Sequence, residues 1–116
     1  MKKSKLVELL TKLNIPVNEG ASSTKNANVY PRIVFWDYIW EDRLASGENY
    51  DEVETYQISF FSQTPRHPKL LELRNELREL GYHPTILHEY VEEKGKDRKY
   101  YHSYFSLEVI NDEYDN

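Results

Sequence analysis

The chain has 116 residues, 39% of them hydrophobic and 30% charged, with a formal net charge of −5 and no cysteine. That length suits a single two-layer core, and that composition belongs to a folded chain rather than a disordered one. Without cysteine there are no thiolate metal sites or thiol nucleophiles, and a reducing compartment fits. The acidic balance makes free nucleic acid a poor partner, because phosphate binding needs a positive surface.

The opening "MKKSKLVELL" is basic and then briefly apolar. Its apolar run is too short for a signal peptide or for a membrane span of about 20 residues, so no membrane partner is expected. Leu6, Leu9, Leu10 and Leu13 recur at i, i+3, i+4 and i+7. They predict an amphipathic helix of about three turns, ended by Asn14 and Pro16. Residues 18–29 read as a polar link without periodicity.

Next comes "PRIVFWDYIW", which concentrates Phe35, Trp36, Tyr38 and Trp40 in ten positions. A buried strand, a stacking platform for bases and a surface covered by another subunit would each explain that density. With period 2, Ile33, Phe35 and Ile39 share a face with Asp37, while Val34, Trp36, Tyr38 and Trp40 share the other. A strand apolar on both faces is normally covered on both. An acidic connection, residues 41–53, leads to "ETYQISFFSQ". There Tyr56, Ile58 and Phe60 alternate with Thr55, Gln57 and Ser59, as in a half-wet strand.

The second helix is predicted over 68–80, with Thr64 available as a cap, Leu70, Leu73, Leu77 and Leu80 as its buried stripe, and Gly81 just past its end. Two strands follow, 85–93 and 100–110, joined by a hairpin turn at Gly95; "NDEYDN", residues 111–116, reads as a flexible acidic tail. The expected architecture is one α+β domain over 1–116. Its order is α-β-β-α-β-β, with a mainly antiparallel four-stranded sheet and both helices on one face.

Chemical signatures are sparse. His88 and Glu89 approach His102 if their strands pair, a thin basis for a metal site, since no His-x-x-x-His spacing accompanies them. The four glycines stand alone, so no phosphate-cradling loop is present, and no nucleophile elbow occurs. Neither a catalytic residue nor a cofactor or metal site is assigned. A base-stacking sheet built on Trp36, Tyr38, Tyr100 and Tyr104 would interleave Arg and Lys; here Asp37, Glu89, Glu92 and Glu108 take those places.

Several segments together resemble a known family. They are the leading helix ending "LNIPV", the strand "PRIVF", the stretch "NYDEVETYQISFFSQ", the helix "PRHPKLLELRNELRELG" and the closing "SYFSLEVI". Over residues 3 to 110 the chain resembles the small tail-component proteins of siphophages and prophages, the tail-terminator and tail-completion group. The resemblance implies a virion structural protein, not an enzyme, that forms a homo-oligomeric ring, commonly a hexamer. Such a ring sits at the head-proximal end of the tail tube, stops tube polymerisation and joins tail to head. Its implied partners are further copies of itself, the tail-tube protein and a head-completion or connector protein, with no sequence-specific nucleic acid. Its implied place is the virion tail, assembled in the host bacterial cytoplasm. The competing reading is a small cytosolic binding or regulatory module without enzymatic activity.

For a ring, candidate subunit contacts are Trp36, Tyr38 and Trp40 on the aromatic strand and Leu71, Glu72, Arg74, Glu76 and Arg78 on the second helix. Arg74 and Arg78 line one flank of the leucine stripe, and Glu72, Glu76 and Glu79 line the other. A head-to-tail contact would set one flank against the other.

Overall fold

The leucine spacing puts one stripe of each helix against one sheet face, and the rest of the molecule is arranged around that contact. A computed structural model describes residues 1–23, 25–44, 50–93, 95 and 98–110. Helix α1 spans Lys3–Thr11 and α2 spans Pro68–Glu79; the strands are β1 Val17–Glu19, β2 Arg32–Leu44, β3 Tyr50–Ser62, β4 Leu87–Glu93 and β5 Arg98–Ile110. The chain is α+β, with sheet order β1-β2-β3-β5-β4. Only β1 runs parallel to its neighbour; the other pairs are antiparallel.

The core lies between the helices and one sheet face. Leu6, Leu9, Leu10 and Leu13 from the first helical segment and Leu70, Leu73 and Leu77 from α2 meet Ile33, Phe35, Tyr56, Ile58, Phe60, Phe105, Leu107 and Val109, all buried. These strand positions are alternate residues, as period 2 requires. One cation enters this layer. Lys3 is 5% exposed, donates to Glu19 Oε2 at 3.0 Å and lies 5.7 Å from the Tyr56 ring centroid. Burial, and then a hydrogen bond with Glu54, hold the Tyr56 phenol above its ordinary range, against the opposing pull of Lys3.

Several expectations need correction. Among the described residues the sheet has five strands, because the polar link at 18–29 overlaps β1, whose Val17 and Asn18 pair with Ile33 and Val34. Three residues with no apolar alternation carry no periodic signal. The connection at 41–53 is shorter than expected: β2 continues to Leu44 and β3 begins at Tyr50, paired through Leu44↔Tyr50. Past Val53, which pairs with Ile110, the β2–β3 ladder continues from Asp42↔Glu52 to Leu44↔Tyr50 and forms an arm. Residues 45–49, most of the hairpin turn at 94–97 and the predicted tail at 111–116 lie outside the described residues.

At α2 the cap is His67, whose Nδ1 accepts from Lys69 N at 3.0 Å; Thr64 instead donates its backbone N–H to Ser62 Oγ. Pro68 at the first helical position needs no amide donor, which fits a helix starting there. The far end is a Schellman motif. Gly81 N bonds Arg78 O, Tyr82 N bonds Leu77 O, and Gly81 takes φ +88°, which favours glycine. That places Leu80 at the cap, 44% exposed, so the buried stripe ends at Leu77.

The largest correction concerns "PRIVFWDYIW". The β2–β3 register shifts between Asp37 and Ile39: Asp37 pairs with Tyr56, yet Ile39 pairs with Thr55. One extra residue, Tyr38, makes a bulge, and a one-residue slip reverses every side chain beyond it. Ile39 therefore faces away from the helices, with Thr55. Trp40 crosses to the helix side, where its indole donates to Asp37 Oδ2. Trp36 and Trp40 do not share a face.

Leu73 is 1% exposed and Leu80 is 44% exposed. Leu73→Ala should cost about 2–5 kcal/mol in urea unfolding, and Leu80→Ala less than about 1. Equal costs would contradict the boundary set at Leu77.

Candidate functional site

Period 2 sends the other half of each strand to the sheet face that neither helix covers. In register across it lie Arg32, Val34, Trp36 and Ile39 of β2, Thr55, Gln57, Ser59 and Phe61 of β3, and His102, Tyr104, Ser106 and Glu108 of β5, with Leu87 and Glu89 on β4. Tyr38 joins them from the bulge, its hydroxyl 3.0 Å from Ser106 Oγ.

Arg32 anchors one end of this face. Its guanidinium carbon sits 4.8 Å from the Tyr30 ring centroid and 4.5 Å from that of Phe61. Nε donates to Ser22 Oγ at 3.0 Å and Nη1 to Val29 O at 3.2 Å, so the side chain is held by the loop before β2. A planar, weakly hydrated guanidinium tolerates such a sandwich better than an ammonium. Phe61 then stacks on His102 at 4.7 Å and 5°, and His102 on Tyr104 at 4.7 Å and 25°. Arg32, Phe61, His102 and Tyr104 thus form one continuous stack across three strands. Near it, burial raises the Tyr100 phenol above its ordinary value.

A polar relay runs through the same stack. His102 Nδ1 lies 2.8 Å from Glu89 Oε1, its Nε2 lies 2.8 Å from Ser59 Oγ, and Gln57 Nε2 donates to that oxygen at 3.2 Å. One consistent proton placement runs Gln57 to Ser59, Ser59 to His102 and His102 to Glu89. The connectivity is that of an acid–histidine–serine triad. Ser59, however, is 0% exposed, beneath its neighbours, so an incoming carbonyl cannot reach its hydroxyl. What the relay does here is fix the ring of His102 within the stack. His88 does not join it. Paired with Ser103, it points to the opposite face, with Nδ1 2.7 Å from Ser103 Oγ. Among the described residues no group of three His, Asp or Glu side chains has metal-binding geometry.

The residues singled out in the sequence fall into separate places. Trp36, half-buried, and Tyr38, 51% exposed, lie on the open face; Trp40, 70% exposed, stands on the helix side beyond the helices. Leu71, Arg74 and Arg78 line a cleft between α2 and the segment entering β4. Of the acidic flank, Glu72 pairs with Lys69 at 3.6 Å and Glu76 with Lys12 at 3.0 Å, and the Glu76 contact raises the Lys12 ammonium. Sequence reading missed Arg32, Phe61 and Ser59. Their roles come from cross-strand register, which a single strand's pattern does not contain.

The arm is tied to the body by one cation. Arg43 donates to Glu108 Oε1 and Oε2 at 2.8 and 3.0 Å and to Glu41 Oε1 at 2.7 Å. The fork-like contact holds the Glu108 carboxyl below its ordinary range. A lowered folded value means the tie is complete above the ordinary carboxylate range and is lost as pH falls through the lowered value. In Arg43→Met, the Glu108 side-chain NMR titration should move up to the ordinary glutamate range. An unchanged midpoint would contradict the tie.

Comparison of the sequence with models of known protein families and with curated proteins returns no match.

Proposed function

We propose that this chain is a structural protein of a long-tailed phage or prophage virion. Copies of it form a ring, commonly a hexamer, at the head-proximal end of the tail tube, where the ring ends tube polymerisation and joins tail to head. Its partners are then other copies of itself, the tail-tube protein and a connector on the head side, and its work is assembly rather than catalysis.

The observation that carries this reading is the uncovered sheet face. Tyr38, Ile39, Leu87 and Ile110 are 51%, 42%, 50% and 46% exposed and lie on the side that neither described helix reaches. Large apolar side chains gathered on one face mark a contact surface, and aromatic residues are enriched in such contacts. The arm supports the same reading, because the paired ends of β2 and β3 offer a second, separate surface, as a ring subunit requires. Acidic net charge suits a ring through which DNA passes without sticking. The segments quoted above, "PRIVF" to "SYFSLEVI", add the family resemblance.

A small binding module remains the second reading. It draws on the same face, with one unlike partner in place of identical neighbours. Native mass spectrometry separates the two. The ring reading expects a single closed oligomer at micromolar concentration, dissociating on dilution without intermediate filaments. A monomer at every concentration up to the millimolar range would overturn it and leave the module.

A further inference from the structure

We propose that the cleft between α2 and β4 is a carboxylate-binding site that receives Asp42 and Glu52 from the β2–β3 arm of a second copy. The inference rests on the self-assembly reading and assigns it a contact.

The cleft has a volume of about 270 Å3, and its lining includes Arg66, Arg74 and Arg78 together with Leu71, Ile86 and His88. In a chain with fifteen basic and twenty acidic side chains, three arginines around one hollow concentrate positive charge. Among the described residues none of these guanidinium groups has an ion-pair partner. Arg74 Nε is moreover shut off from solvent with no acceptor. Arg74 and Arg78 stand at i, i+4 on the helix, a spacing that costs energy for like charges. Nearby acids do not relieve it, since Glu72 and Glu76 are engaged by Lys69 and Lys12.

The arm presents the converse arrangement. Asp42 and Glu52 are directly opposite in the β2–β3 register and both are exposed. Like charges facing each other across strands are destabilising until a cation meets them. The arm's arginine is committed elsewhere, to Glu41 and Glu108. Trp40 lies on the same side two residues earlier, 70% exposed. It supplies an apolar edge that matches Leu71 and Ile86 beside the arginines. Carboxylates and guanidinium forks pair in parallel, so two acids and three arginines give a contact with defined orientation.

Within one chain, no ion pair among the described residues joins Asp42 or Glu52 to these arginines. β3 runs thirteen residues from the arm to Ser62, on the order of 40 Å at strand rise, and Arg66 follows beyond that end, far from the arm of its own chain. The arm that fills the cleft is that of another copy. Each copy carries one arm and one cleft, which is the requirement for a head-to-tail ring.

Charge reversal tests this with residues that are all exposed. One variant carries Arg66→Glu and Arg78→Glu; the other carries Asp42→Lys and Glu52→Lys. Circular dichroism checks the fold of each, and sedimentation velocity reads association. Alone, each variant sets like charges against like at every contact, and its association should weaken at least tenfold. Mixed one to one, every acidic arm meets a basic cleft and every basic arm an acidic cleft, so alternating assemblies should reappear. If the wild type associates and either variant associates equally well, the arm–cleft contact is wrong and the ring reading stands. Failure of the mixture to recover association also overturns the contact. A wild type that stays monomeric overturns both. Inorganic phosphate binding that is abolished by Arg66→Glu with Arg78→Glu, without any change in association, would make the cleft a small-anion site instead.

Discussion

Two short helices cannot cover this sheet. At helical rise, α1 with nine residues and α2 with twelve extend about 14 and 18 Å, whereas a thirteen-residue strand extends about 43 Å. Every unusual surface of the molecule follows from that mismatch. One face is covered in its middle and forms the core. Among the described residues the opposite face has no second layer, and the β2–β3 pair outruns both helices to become the arm.

The uncovered face is built to stay in place. Ser59 and Thr55 are buried on it, Arg32 is clamped between two rings, and His102 is fixed at both nitrogens. Fixed aromatic side chains lose little freedom when a partner covers them, which lowers the cost of association. The bulge at Tyr38 contributes by turning Ile39 to this face beside Tyr38 while sending Trp40 to the other. One extra residue thus divides an aromatic run between two surfaces, the sheet face and the arm.

Much of the interior was legible in the sequence. Leucine spacing located both helices, and period-2 alternation placed Tyr56, Ile58 and Phe60 inward. What was not legible depends on pairing. The Asp37/Ile39 shift is set by how β2 meets β3, so the alternation of "PRIVFWDYIW" taken alone put Ile39 and Trp40 on the wrong faces. The same reason put His88 beside His102, whereas the register gives His102 to Glu89 and His88 to Ser103. β1 was invisible because three residues carry no period. Of the candidate contacts, the aromatic strand and the Arg74–Arg78 flank were found from spacing. Arg66 was not, since it joins the flank only through the turn before α2.

The central claim is that identical neighbours cover the open face, and hydroxyl-radical footprinting across a dilution series tests it most directly. If they do, Tyr38, Leu87 and Tyr104 should be protected at high concentration and become oxidised on dilution. Core residues such as Phe60 should stay protected throughout. Oxidation of Tyr38 and Leu87 that does not change across the association range would contradict it.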